Sequence, residues 1–245
     1  MKRIAVLAAL AVTLAAPVAG VAQGGPGFLF SRPKVSLGIR TGYTLPRASS
    51  QIFDFSREEF TLNRFDFDAP YLGGELAFRF SERWDAAISA GWSEGRGLSE
   101  YRNWVDQDNL PIEQETIFQT VSVVVGARYY FRDRGRSIGR FAWVPSRLSP
   151  FVGGGFGVVT YDFTQSGDFV DFQTLDIVTD QLTSTGAGAA AYASAGADFS
   201  LGKQFYLTGE ARYAVASGGV EGDYSLYDGI DLSGLQLTTG ISVRF

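Results

Sequence analysis

The chain has 245 residues, with 21 Lys and Arg against 26 Asp and Glu, a net charge of −5, and neither His nor Cys. Lack of Cys excludes disulfides, thiolate metal sites and Cys nucleophiles, and lack of His removes the commonest metal ligand and the usual general base near neutral pH. At 45% hydrophobic the sequence is too apolar for a disordered chain, and with no Lys/Arg cluster of the kind phosphate backbones need, nucleic acid is not an expected partner.

Lys2 and Arg3 precede an apolar run from Ile4 to Ala16, followed by small residues through Pro17, Gly20 and Ala22. Basic start, short apolar stretch and small-residue exit are the parts of a secretory signal peptide. Cleavage is expected after Ala22, giving a signal peptide over 1–22 and one exported β domain over 23–245. Removing Lys2 and Arg3 leaves 19 basic against 26 acidic residues, about −7. No later stretch is long and apolar enough for a helical span.

Eight segments of roughly ten residues then alternate with period two, as strands with one apolar face do. The first, Lys34 to Tyr43, sets Val35, Leu37, Ile39, Thr41 and Tyr43 against Ser36, Gly38, Arg40 and Gly42. In the second, Tyr71 to Phe80, Leu72, Leu76, Phe78 and Phe80 oppose Gly73, Glu75, Ala77 and Arg79; in the third, Trp84, Ala86, Ile88, Ala90 and Trp92 oppose Asp85, Ala87, Ser89 and Gly91. The fourth places Val121, Val123, Val125, Ala127, Tyr129 and Phe131 away from Ser122, Gly126 and Arg128, and the fifth sets Val152, Phe156, Val158 and Thr160 against Gly153, Gly155 and Gly157. The last three oppose Ala191, Ala193, Ala195, Ala197 and Phe199 to Ser194, Gly196 and Asp198; Phe205, Leu207, Ala211 and Tyr213 to Thr208, Glu210 and Arg212; and Leu235, Leu237, Thr239, Ile241, Val243 and Phe245 to Gln236, Thr238, Gly240, Ser242 and Arg244.

Within these segments every charge, namely Arg40, Glu75, Arg79, Asp85, Arg128, Asp198, Glu210, Arg212 and Arg244, falls on the polar side. A soluble sandwich alternates too, but its polar face looks outward and normally carries Lys. Arg, Asp and Glu among glycines suit a crowded polar interior. Aromatics such as Tyr43, Phe80, Trp84, Phe199 and Phe245 stand at the ends of the apolar faces, as the girdles of a transmembrane barrel do. The fold class expected is all-β, an eight-stranded antiparallel up-and-down transmembrane β-barrel.

Short and long connections alternate, which places both termini in the periplasm and the long loops outside. The exception is 132–149, where Arg132, Arg134, Arg136, Arg140 and Arg147 read as a solvated basic turn. Together with the closing Leu237 to Phe245, the strands resemble the OmpA/OmpX-like family of eight-stranded outer-membrane barrels, in its barrel-only form. That resemblance implies outer-membrane lipid and lipopolysaccharide around the barrel, a monomer, and Phe245 as the terminal aromatic read by the barrel-assembly machinery.

The run Gly186 to Ala191 is a degenerate dinucleotide fingerprint on an alternating strand, where its mechanism has no helix to use. Ser194 lacks both a nucleophile elbow and a His to activate it. The loop from Arg47 to Asp68 interleaves Phe53, Phe55, Phe60, Phe65 and Phe67 with acids, and reads first as packing over the barrel mouth and second as a binding surface. Asp162, Asp168, Asp171, Asp176 and Asp180 read as a solvated acidic loop without the calcium pattern. The expected function is a non-enzymatic barrel with a lumen plugged by the nine inward charges and a structural or surface-interaction role for its loops. No cofactor, catalytic residue or metal ligand is expected; an external ligand is allowed but not named by the sequence. The alternatives are a passive channel for small solutes and, further off, an enzyme built on Glu75 and Asp85.

Overall fold

The computed structural model describes residues 27–172 and 174–245; the expected signal peptide lies outside the described residues. Eight long strands follow one another: β1 (Val35–Pro46), β2 (Ala69–Arg79), β3 (Trp84–Val105), β4 (Pro111–Tyr130), β5 (Leu148–Val170), β6 (Ile177–Ser200), β7 (Phe205–Gly218) and β8 (Gly234–Arg244). Each pairs antiparallel with the next. Strand β8 returns to β1, from Ser36 opposite Arg244 to Pro46 opposite Gly234. The sheet is thereby a closed ring, and closure pairs both edges of every long strand within the belt.

Alternation sets what each face meets. Ile39, Phe156 and Val215 are 64, 69 and 61% exposed, whereas Arg40 and Glu75 are 3 and 5% exposed. Exposed aliphatics around buried charges invert the arrangement of a soluble protein, and they define a belt made to face hydrocarbon. Exposed Tyr43, Phe80, Trp84, Trp92, Phe131, Phe205, Tyr213 and Phe245 stand at its ends. Trp84 and Tyr129 rings lie 5.1 Å apart and Tyr129 and Phe131 5.7 Å. The barrel end that carries Val35 and Phe245 is called the base below, and the opposite end the mouth.

Four strands run well past the ten or so residues expected: β3 to β6 have 22, 20, 23 and 24 residues. Beyond the belt the outward positions turn polar, as with Glu94, Arg96, Glu100 and Asp162, so a lipid-facing pattern stops although the strand does not. The acidic stretch is therefore a hairpin and not a loop. Asp162, Asp168 and Asp180 sit in β5 and β6, and Asp168 accepts from the Thr179 hydroxyl at 2.6 Å.

A nine-residue helix, α1 (Gln51–Glu59), follows β1 and lies over the mouth. Phe53, Phe60 and Phe67 are buried there with Tyr101, Phe118, Phe163 and Tyr224. Phe53 makes edge contacts with Phe67, Phe118 and Phe163 at 4.9 to 5.9 Å between ring centres. The aromatic loop is thus packing over the mouth, its Phe65 excepted, which stays exposed.

Candidate functional site

The inward residues of the eight strands build the lumen in layers. The middle layer is an ion-pair cluster. Arg40 donates to Glu75 at 2.8 Å and to Glu210; Arg128 donates to both oxygens of Glu75 and to Glu210 at 3.0 Å; Arg212 reaches Glu210 at 3.2 Å and the Ser89 hydroxyl at 3.3 Å. The guanidinium of Arg128 stacks 4.9 Å from the Phe151 ring centre and that of Arg212 4.4 Å from Tyr192. Charges in so dry a place are tolerated only when paired and hydrogen-bonded, and every side chain here is paired, with Nε of Arg40 alone lacking an acceptor among the described residues. Glycine supplies the room. A Cβ on Gly240 would stand 2.9 Å from Arg40 Cγ, and one on Gly153 3.1 Å from Arg128 Cγ.

The remaining inward charges lie toward the base and form separate contacts. Both oxygens of Asp85 are held by Arg134, one of them at 2.6 Å. Asp198 accepts from the Tyr130 hydroxyl at 2.9 Å and from Thr208 at 2.8 Å. Arg244 donates to Ser200 at 2.9 Å and stacks 4.5 Å from the Tyr206 ring centre, while Arg79 pairs with Glu82 at 3.2 Å. Of the nine charges expected to share one network, five form the cluster and four do not join it.

Arg134 corrects the reading of 132–149 as a solvated turn. The segment folds into a short hairpin, Gly135–Ile138 against Ala142–Pro145, that turns back on the barrel. Trp143 becomes fully buried, with the guanidinium carbons of Arg79 and Arg244 each 5.7 Å from its ring centre. The chain entering β1 crosses beneath it, because Leu29 and Trp143 exchange two backbone hydrogen bonds of 2.9 and 2.7 Å. Arg136 and Arg140 stay exposed.

Above the cluster lies a cavity of about 80 Å³, lined by polar Tyr71, Ser93 and Thr120 together with apolar Phe67, Phe118 and Val159. It ends at the aromatic cap. Within that cap the buried Gln165 amide donates to Thr116 at 3.0 Å and Ser56 at 3.3 Å and accepts from the Tyr224 hydroxyl, tying α1 to the wall.

Sequence reasoning missed Tyr130, Phe151, Tyr192 and Tyr206, which all stand at inward parity on strands whose polar faces had been read as small or charged. They are the next inward positions, two residues from Arg128, Gly153, Ser194 and Thr208 respectively. Arg134 and Trp143 had a weaker signal, a Trp within a turn longer than a barrel needs.

No protein-family model and no curated protein matches the chain. Among solved structures it is similar to Neisserial surface protein A, at 12% identity over 86% of this chain and 96% of that one, with a TM-score of 0.48. It is also similar to the outer membrane protein OprG from Pseudomonas aeruginosa (13%, 89% and 99%, 0.48) and to Ail, the attachment invasion locus protein of Yersinia pestis (13%, 90% and 100%, 0.42). These are eight-stranded outer-membrane barrels of the OmpA/OmpX-like type, the architecture that the strand ladder of this chain spells out by itself.

Proposed function

We propose that this protein is a non-enzymatic outer-membrane barrel of a Gram-negative envelope, with both termini in the periplasm, a lumen closed to solutes, and its long external hairpins as the working surface. The observation that carries the reading is the Arg40, Arg128, Arg212, Glu75 and Glu210 cluster, whose side chains are a tenth exposed or less. A pore selective for ions lines its wall with one sign of charge around water; here three arginines pair with two glutamates across an interior wide enough only for side chains. The same pairing argues against a carboxylate enzyme. Glu75 is held by two arginines and Asp85 by a third, so neither is an acid free to exchange protons with a substrate.

The belt takes outer-membrane lipid and lipopolysaccharide as its surroundings, the chain works as a monomer, and Phe245 serves the barrel-assembly machinery. Surface interaction is assigned to the hairpin tips, where Trp104 meets Phe172 at 5.9 Å between ring centres and Val105, Leu110 and Leu175 are exposed. Single-channel recording of the refolded protein in planar bilayers tests the closed lumen. Silence is expected, and steady large conductance steps would replace this reading with the passive channel.

A further inference from the structure

Beneath the ion-pair cluster, where the hairpin closes the base, a second cavity of about 30 Å³ is lined by Arg79, Arg134, Arg244, Trp143 and the carboxylates of Asp85 and Asp198. Three of the lining residues each carry a buried nitrogen, Nε of Arg134, Nε of Arg244 and Nε1 of Trp143, that finds no acceptor among the described residues. Trp143 is 2% and Arg244 8% exposed. One buried donor without a partner is costly; three around one small space point to a common acceptor. The two acids do not serve, since Asp85 is taken by the terminal nitrogens of Arg134 and Asp198 by Tyr130 and Thr208.

Charge selects the kind of acceptor. Lys34, Arg79, Arg134 and Arg244 line the cavity against Asp85 and Asp198, an excess of two positive charges. A cation is thereby excluded. Size narrows the choice further, because one water-sized probe takes about 10 to 15 Å³ of such volume. The space is two to three times that, room for one small anion such as a halide.

We propose that the base of the barrel holds a halide ion, chloride in physiological salt, accepting hydrogen bonds from Trp143, Arg134 and Arg244 and clamping the 135–145 hairpin under the lumen. The proposal goes beyond the closed-lumen reading and does not depend on it, since a halide could sit at the base of a conducting barrel too.

Thermal unfolding of the refolded protein, at constant ionic strength with chloride exchanged for gluconate, supplies the test. A saturable rise of the unfolding midpoint with chloride is expected. Trp143→Phe keeps the ring between the arginines and removes the indole donor, so its half-saturating chloride should rise about tenfold, the effect of one charge-assisted hydrogen bond. Equal midpoints in chloride and gluconate, or a variant that responds as the parent does, overturn the site. Should the variant fail to refold, crystals of the parent grown in bromide decide: an anomalous peak within hydrogen-bond reach of Trp143 Nε1 supports the site, and its absence refutes it.

Discussion

Arg40 and Glu75 meet at 2.8 Å on the inner wall although neither faces the other across the β1–β2 ladder. Arg40 is opposite Gly73, and Glu75 is opposite Gly38. The two long side chains thus reach diagonally over glycines, and each also reaches a partner two strands away, Arg40 to Glu210 on β7 and Glu75 to Arg128 on β4. Ion pairing here is a cross-brace for the ring as well as a plug.

Removing one member should therefore unbalance the whole brace. Glu75→Gln leaves Arg40, Arg128 and Arg212 sharing Glu210, and breaking a buried pair in this way costs about 3 to 5 kcal/mol. Urea titration of folding into lipid vesicles measures it. A cost below about 1 kcal/mol would mean that the cluster is solvated.

The outer face makes the opposite demand. Ala193 looks out from β6 between Gly154 and Tyr213, while its neighbour Ser194 looks inward with an unpaired hydroxyl. Ala193→Arg should cost roughly 2 to 4 kcal/mol in vesicles, and Ser194→Ala less than about 1 kcal/mol. Similar costs would show that the two faces do not meet lipid and lumen as assigned.

At the mouth, Phe53 touches three other aromatic rings and is fully buried. Phe53→Ala should cost about 3 to 5 kcal/mol of local stability. Hydrogen exchange would register the loss over 47–68 and at the tops of β4 and β5, with the belt strands unchanged.

Asp231, outside the belt, fastens the start of that cap. Burial alone would raise its carboxyl, but the Ser49 hydroxyl at 2.7 Å, both donors of Ser233 and the charge of Arg47 together hold it below the usual carboxylate range. A carboxyl depressed in the folded state stabilises it above the ordinary value near 3.9 and loses that contribution as pH falls through the folded value. Acidification below about pH 4 should loosen 47–50 and 230–233 in hydrogen exchange, and Asp231→Asn should remove that pH dependence.

Phe245 is exposed at the girdle while its backbone exchanges hydrogen bonds with Val35 and accepts one from Lys34. Its deletion should lower surface levels in cells several-fold and leave stability in vesicles almost unchanged. Normal surface levels would remove its assembly role.

The barrel was legible because lipid imposes a period of two that nothing else in the chain imitates: Leu37, Ile39 and Ile241 can only be outward if Arg40 and Arg244 are inward. Outside the belt that constraint lapses. Beyond Trp92 both faces of β3 carry polar residues, so its last dozen positions have no lipid-imposed pattern, and the pairing of Gly95 with Phe118 is fixed only when β4 folds back beside it. The lumen charges were found by parity alone, but parity gives depth no coordinate. It could not separate the Arg128 layer from the Asp85 layer, nor bring Arg134 back from a turn that local sequence describes as wet.

Strand length has a consequence for what a neighbouring cell or an antibody can touch. At about 3.3 Å per residue, a belt crossed in about 9 to 11 residues uses less than half of the 23 residues of β5. The rest, about 40 Å of strand before tilt is counted, is shared between the headgroup layers and a four-stranded wall beyond them. With the hairpins external, as proposed, Trp104, Leu110 and Phe172 would be presented at height on this support, so that large molecules would meet the tips before the bilayer.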